Sequence, residues 1–277
     1  GPHRSGALTN RPPGTASQWP PGGSTCYIRG MKALLAAALL TLAGVTATAD
    51  IPPVPEELAE FALFVMREDP TRDVALAKAD LVRETIRGYS SPEARYLYTA
   101  MVHFLLGFVE RGTGRIGEAE RSFELAIDFA RRANERDETS EGHRVLADSY
   151  NQLLDLGGTG FRMFNVGRAR RAAETAVELD PRNPLAHIAA VSFFINAPRF
   201  VGGDPERGRF HVRTAAGLAG DSQYVAFLIA VWEARLAHAD GRVGAASAAI
   251  GRARAIFPRN WWLAAVSDEL GIGVPGG

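Results

Sequence analysis

Five histidines follow position 50, at His103, His143, His187, His211 and His238, and imidazoles in a protein ligate metal, carry protons or pack. A helical zinc site needs two of them four residues apart, and no pair here has that spacing. Gly112-Thr113-Gly114-Arg115-Ile116-Gly117 has the glycine spacing of a dinucleotide fingerprint. That motif requires a buried strand before it, so that a pyrophosphate meets a helix N-terminus, and here a helical pattern precedes it. No serine stands in a Gly-x-Ser-x-Gly elbow, and there is no Gly-Lys-Ser/Thr phosphate loop. The single cysteine, Cys26, lies before Met31, so a chain starting at Asp50 has no thiol for a nucleophile, a disulfide or a thiolate metal site. The reading is a non-enzymatic protein with no cofactor, no metal and no catalytic residue.

The elements are written in a ladder of small residues that recurs four times: Ala119, Phe123, Ala126; Ala169, Ala173, Ala176; Gly208, Val212, Ala215; and Ala246, Ile250, Ala253. Small residues at steps of four and seven share one helical face and let a neighbouring helix approach closely. The second and fourth copies end in Pro181 and Pro258, twelve positions after the first small residue. From about Ala94 to Trp262 the chain therefore resembles tetratricopeptide repeat (TPR) proteins, whose unit is a helix–turn–helix of about 34 residues. The resemblance implies an all-α fold: a TPR-like helical-hairpin solenoid, or α-α superhelix, with long inter-helix insertions. Trp261 to Leu270 is expected to be a C-terminal capping helix, with Trp261 and Trp262 covering the open end. Helices are also expected from about Glu56 to Arg67 and Thr71 to Gly88, broken at Asp69-Pro70 and Ser90-Ser91-Pro92. This pair reads as a degenerate first repeat or as an N-terminal cap.

Two connections depart from the repeat. Gly107 and Ala119 are 12 positions apart, whereas their counterparts Ala147 and Ala169 are 22 apart, which places a ten-residue insertion in Asp155 to Val166. The second runs from Ala197 to Pro205, where Asp204 is expected to cap a helix and Pro205 to start it. Phe161, Met163, Phe164 and Phe200 are too apolar for idle solvent loops and are expected to fold back on the helices or line a ligand cavity.

In TPR proteins the first helix of each repeat lines the inner surface, so the resemblance implies a groove of Phe104 and Phe108; Arg144, Asp148, Asn151 and Gln152; Ser192 and Asn196; and Arg235 and His238. His103 and His187 fall at a packing position of their repeats. Such a groove suits a peptide, or a small apolar or anionic ligand whose tail meets Phe104 and whose charge meets Arg144 or Arg235. On the helix surface Arg144 and Asp148, four apart, are also placed to pair with each other.

Residues 1–30 carry no acidic residue and no apolar periodicity, and read as a disordered leader or a mis-called start. Residues 31–49 read as a signal peptide: Lys32, the apolar run Ala33 to Val45, then Ala47-Thr48-Ala49. The alternative is a retained anchor, and the mature chain is expected to hold no transmembrane domain. The TPR-like domain then occupies residues 50–277. Four of the 31 basic residues and none of the 31 acidic ones precede Asp50, leaving 27 against 31, a net charge of −4. That sign argues against nucleic acid as a partner. The insertion Asp155 to Val166, together with Phe200-Val201-Gly202-Gly203-Asp204-Pro205-Glu206-Arg207, also resembles the T component of TPR-associated TRAP transport systems. This implies a periplasmic or secreted protein that meets a protein partner, a periplasmic substrate-binding protein, in solute uptake. A peptide-binding adaptor in cell-envelope assembly is the alternative. No cysteine stands where that family's lipid anchor would need one.

Overall fold

The computed structural model describes residues 53–67, 71–258 and 260–273; the leader, the signal peptide and the Asp69-Pro70 break lie outside them. The described residues form eleven α-helices and no strand. These are α1 (Glu56–Arg67), α2 (Arg72–Arg87), α3 (Pro92–Gly112), α4 (Ile116–Asn134), α5 (Ser140–Leu156), α6 (Thr159–Leu179), α7 (Pro184–Asn196), α8 (Pro205–Leu218), α9 (Gln223–Ala239), α10 (Val243–Ile256) and α11 (Trp261–Glu269). Consecutive helices pack as hairpins, and α1, α3, α5, α7 and α9 also touch one another in series. The fold is an all-α, TPR-like solenoid in which the odd-numbered helices form the inner layer.

Local chemistry starts and stops these helices where the sequence says it should. Ser91, Thr139, Asn183, Asp204, Ser222 and Asn260 each accept a hydrogen bond from a backbone N–H of the turn they begin, worth about 1 kcal/mol apiece. Gly114 (φ 79°) and Gly241 (φ 71°) make the left-handed turns after α3 and α9. All twelve ladder residues are buried. The fit across the first hairpin is close enough that a Cβ on Gly107 would sit 2.9 Å from the Phe123 ring, so α3 and α4 approach at their narrowest there.

Two of the inner helices, α5 and α7, are buried on nearly every side. From Glu141 to Leu153 every residue of α5 except His143 is buried, and in α7 every residue from Leu185 to Phe194 is. What closes the inner layer is the N-terminal helix. Leu58, Phe61, Ala62, Val65 and Met66 of α1, spaced along one face, are each no more than 1% exposed. Tyr89 Oη donates to the Pro53 carbonyl at 3.2 Å where α1 begins. At the other end Asn260 Nδ2 donates to the Met66 carbonyl at 2.5 Å, joining positions 194 apart in sequence. The first inner helix thus meets the cap of the last one. Of that last helix, the Trp261 and Trp262 side chains lie outside the described residues.

The insertion between Asp155 and Val166 is not a loop. α5 continues to Leu156, and after Gly157-Gly158 the chain re-enters helix at Thr159, so the extra residues lengthen α6 to 21. Arg162 explains the tight join: its Nε donates to the Leu154 carbonyl at 2.7 Å and its Nη2 to the Asp155 carbonyl at 3.1 Å. Those are the orphan acceptors at the C-terminus of α5. The second connection holds only a short 3₁₀ turn, Arg199–Val201. Its Gly203 is forced, since a Cβ there would fall 1.7 Å from the Ala197 carbonyl oxygen.

Candidate functional site

The residues assigned to an inner groove come together on the inner layer, but almost none of them faces solvent. Phe104, Phe108, Arg144, Asp148, Asn151, Gln152 and Ser192 are all buried. Asn196 is half-buried and donates back to the Ser192 carbonyl, and only His238 is exposed. Phe104 meets Phe123 at 5.5 Å between ring centroids, inside its own hairpin. The apolar end of the expected groove is core.

The charged positions are spent on one another. Arg144 donates to Glu141 Oε1 from Nε (2.8 Å) and Nη2 (2.5 Å), and to Asp148 Oδ2 from Nη1 (2.5 Å). Arg111 donates to Gln152 Oε1 at 2.6 Å and pairs with Asp155, tying α3 to α5. Arg235 grips Glu269 through two hydrogen bonds, at 2.9 and 2.7 Å, tying α9 to α11. Burial opposes the charge on Arg144, but Glu141 and Asp148 outweigh it and hold the guanidinium protonated. Burial pushes the Asp148 carboxyl well above its usual range, against the pull of Arg144 and with a further push from Glu141. Asp148 Oδ1, both amide atoms of Asn151, Gln152 Nε2 and Ser192 Oγ are buried without a hydrogen-bond partner among the described residues. The inner wall is therefore a polar seam buried under apolar packing, in which ion pairs link neighbouring inner helices.

His187 and His211 form a second buried pair, Nδ1 to Nδ1 at 2.9 Å, with His187 Nε2 against the Pro181 carbonyl at 3.0 Å. The carbonyl can only accept, so His187 carries its proton on Nε2 and His211 Nδ1–H donates to His187 Nδ1. Both rings are then neutral. Burial and the neighbouring His187 push His211 down to about 4, and burial lowers His187 too. Unfolded imidazoles titrate near 6.5, so between there and about 4 the unfolded chain binds more protons and stability falls as pH falls. His211 alone is expected to remove on the order of 2 kcal/mol across that window, read from urea midpoints at pH 7.5 and 5. His211→Phe, which keeps a ring against Phe194, should remove this share of the fall and leave that of His103, which burial also pushes down to about 4, and an unchanged profile would remove the pair as a source.

The open surfaces of the described residues include one formed by the insertions and one between α8, α9 and α10. The aromatic residues of the insertions form one: Phe161 is half-buried, but Met163, Phe164 and Phe200 are 75%, 82% and 79% exposed. Phe161 folds back against the core, whereas Met163, Phe164 and Phe200 neither fold back nor enclose a cavity, since helical geometry turns 163 and 164 away from the buried side of α6.

The other is a groove of about 390 Å³ between α8, α9 and α10. Val212, Leu236, Ala237 and Ala249 make its floor, Ala245 and Ala248 its small exposed wall, and Arg209, Arg213, Arg242 and Arg252 its rim. Arg209 pairs with Glu206 at 2.5 Å and shares Asp240 with Arg242; the Asp240 carboxyl is held below its ordinary range by its hydrogen bond to Arg242 and by Arg209. Arg252 reaches Glu233 at 2.6 Å, and Arg213 makes no ion pair among the described residues. A shallow apolar trough with one guanidinium in surplus, Arg213, can take an acidic, partly apolar segment. The four arginines come from three helices, and only the packing of α8 and α10 against α9 assembles them. Their one sequence signal is Arg209 and Arg213, four apart on the flank of the helix beside Gly208, Val212 and Ala215.

No family model matches the chain, and no curated protein matches it. Among solved structures it is similar to the crystal structure of a thermophilic TPR protein from Thermus thermophilus, at 15% identity and a TM-score of 0.49, over 73% of this chain and 95% of that one.

Proposed function

We propose that this chain is an exported, non-enzymatic scaffold that holds an acidic segment of a partner protein in the groove between α8, α9 and α10. The observation that carries the reading is the trough itself: an open apolar floor with four arginines on its rim, one of them unpaired among the described residues. A helix or extended segment with carboxylates beside small apolar side chains fits its chemistry. The sealed inner wall supports an outer docking place, since Arg144 and Arg235 are already neutralised by Glu141, Asp148 and Glu269. Export is supported by the basic start, apolar run and Ala-x-Ala end of residues 31–49. Within the envelope, the partner we favour is a substrate-binding protein of TRAP-type uptake, with envelope assembly as the second setting.

The test is capture of partners from the host's periplasmic fraction by the tagged protein, whose own N-terminus is sequenced from the same sample. The expected result is processing before Asp50 and a partner whose recovery drops tenfold or more with Arg213→Glu or with Ala248→Trp, which fills the trough without changing charge. Helicity should be unchanged, as both positions are on the outer surface. A partner indifferent to both substitutions would move the docking place elsewhere, and a cytoplasmic, unprocessed product would end the export reading.

A further inference from the structure

The two insertions that carry exposed apolar side chains meet each other through α6 and the 3₁₀ turn. On α6, Met163, Phe164, Arg168 and Arg171 are all solvent-facing and lie on the broad exposed arc of the helix, outside the buried side formed by Asn165, Ala169, Ala172 and Ala173. Arg170 lies seven residues after Met163, on the same stripe, and its side chain lies across Gly202, where a Cβ would meet Nη1 at 2.9 Å. That contact brings the 3₁₀ turn bearing Arg199 and Phe200 alongside α6. The edge therefore presents Met163, Phe164 and Phe200 as three protruding apolar groups.

The charge around them has one sign. No acidic residue occurs between Asp155 and Glu174, and none between Ala197 and Gly203. Arg168 donates only to the neutral Asn165 side chain, at 3.0 Å, and Arg171 and Arg199 make no ion pair among the described residues. Arg170 and Arg207 share Glu174 and are discounted. On a chain that carries net negative charge after Asp50, an unneutralised basic rim around bare methionine and phenylalanine is a local exception. A protein partner for such a rim would need a concave apolar pocket ringed by carboxylates. A bilayer of anionic lipid supplies both halves at once, with phosphates for the guanidiniums and acyl chains for the protruding side chains.

We propose that this edge is a membrane-surface contact, docking the protein on anionic lipid by inserting Met163, Phe164 and Phe200 to the headgroup boundary while Arg168, Arg171 and Arg199 bind phosphates. No helix among the described residues is long and apolar enough to cross a membrane, so the contact is peripheral. It leaves the α8–α10 groove free and does not depend on what that groove binds.

The test is co-sedimentation of the protein purified from its host with phosphatidylglycerol–phosphatidylcholine vesicles, against phosphatidylcholine vesicles alone. Binding is expected to the anionic vesicles only, and to weaken with added salt. Each of Arg168→Gln, Arg171→Gln and Arg199→Gln should weaken it about fivefold. Met163→Ser/Phe164→Ser/Phe200→Ser should weaken it at least tenfold with circular dichroism unchanged, these positions being exposed. Equal binding to neutral vesicles, or no binding, would overturn the proposal. So would binding that survives all of these substitutions, which would place the attraction in residues before Pro53. Protection of Phe164 and Phe200 by a soluble protein, with no vesicle binding, would reassign the edge to a protein partner.

Discussion

Replacing Arg144 with methionine is expected to lower the unfolding free energy by about 3–5 kcal/mol, measured by urea denaturation at neutral pH. The substitution keeps the length of the side chain and removes the guanidinium, leaving Glu141 and Asp148 as buried carboxylates without their counter-charge. The same residue on an open, wetted groove would cost within about 0.5 kcal/mol. A triple variant separates charge from packing: Arg144→Met with Glu141→Leu and Asp148→Leu should recover most of the loss, since a buried ion triad replaced by apolar groups is near neutral. If the single change is as mild as a surface substitution, the inner wall is wet and the polar seam is not sealed.

Phe108→Ala is the second large effect, at about 3–5 kcal/mol, for a different physical reason. Phe108 is 1% exposed on α3, at a position that in an open TPR-like superhelix would line the groove. Deleting its ring opens a cavity in the inner layer, and the helices around it, already held by the Arg111–Asp155 pair, have little freedom to collapse. Thermal unfolding of the variant reads this directly. A midpoint within a degree or two of the parent would mean that the ring packs against nothing.

The repeat itself is legible in the sequence because its signal is local. Small residues at steps of four and seven, glycine turns at Gly114 and Gly241 and the Asp204-Pro205 start are each decided within one hairpin, and each stands where the sequence places it. The α6 extension reads wrongly as a loop because Gly157, Gly158 and Gly160 suggest one, while the contacts that favour helix come from Arg162 reaching back to the Leu154 and Asp155 carbonyls. Closure of the inner layer is not legible, because it depends on Asn260 meeting the Met66 carbonyl across nearly the whole chain. One clue is present: Pro184–Asn196 is apolar except at His187, Ser192 and Asn196, the mark of a helix covered all round and not of one that walls a groove. The arginine rim escapes the sequence for the same reason as the closure, since its members are adjacent only after α8 and α10 stack on α9.

A sealed inner layer would leave contacts with other molecules to the outer surface, and the outer docking place proposed for this chain draws support from that seal. The described residues contain no cysteine, which makes thiol labelling a clean measure of access. With Cys26 replaced by serine wherever it is retained, Ser192→Cys on α7 and Ala248→Cys on α10 place one thiol in the inner layer and one in the outer trough. Under native conditions iodoacetamide should modify the thiol at position 248 at the rate of a free thiol. At position 192 it should act at least a hundredfold more slowly, rising to the same rate in urea. Equal rates in the folded protein would mean an open inner groove and would contradict the sealed inner layer.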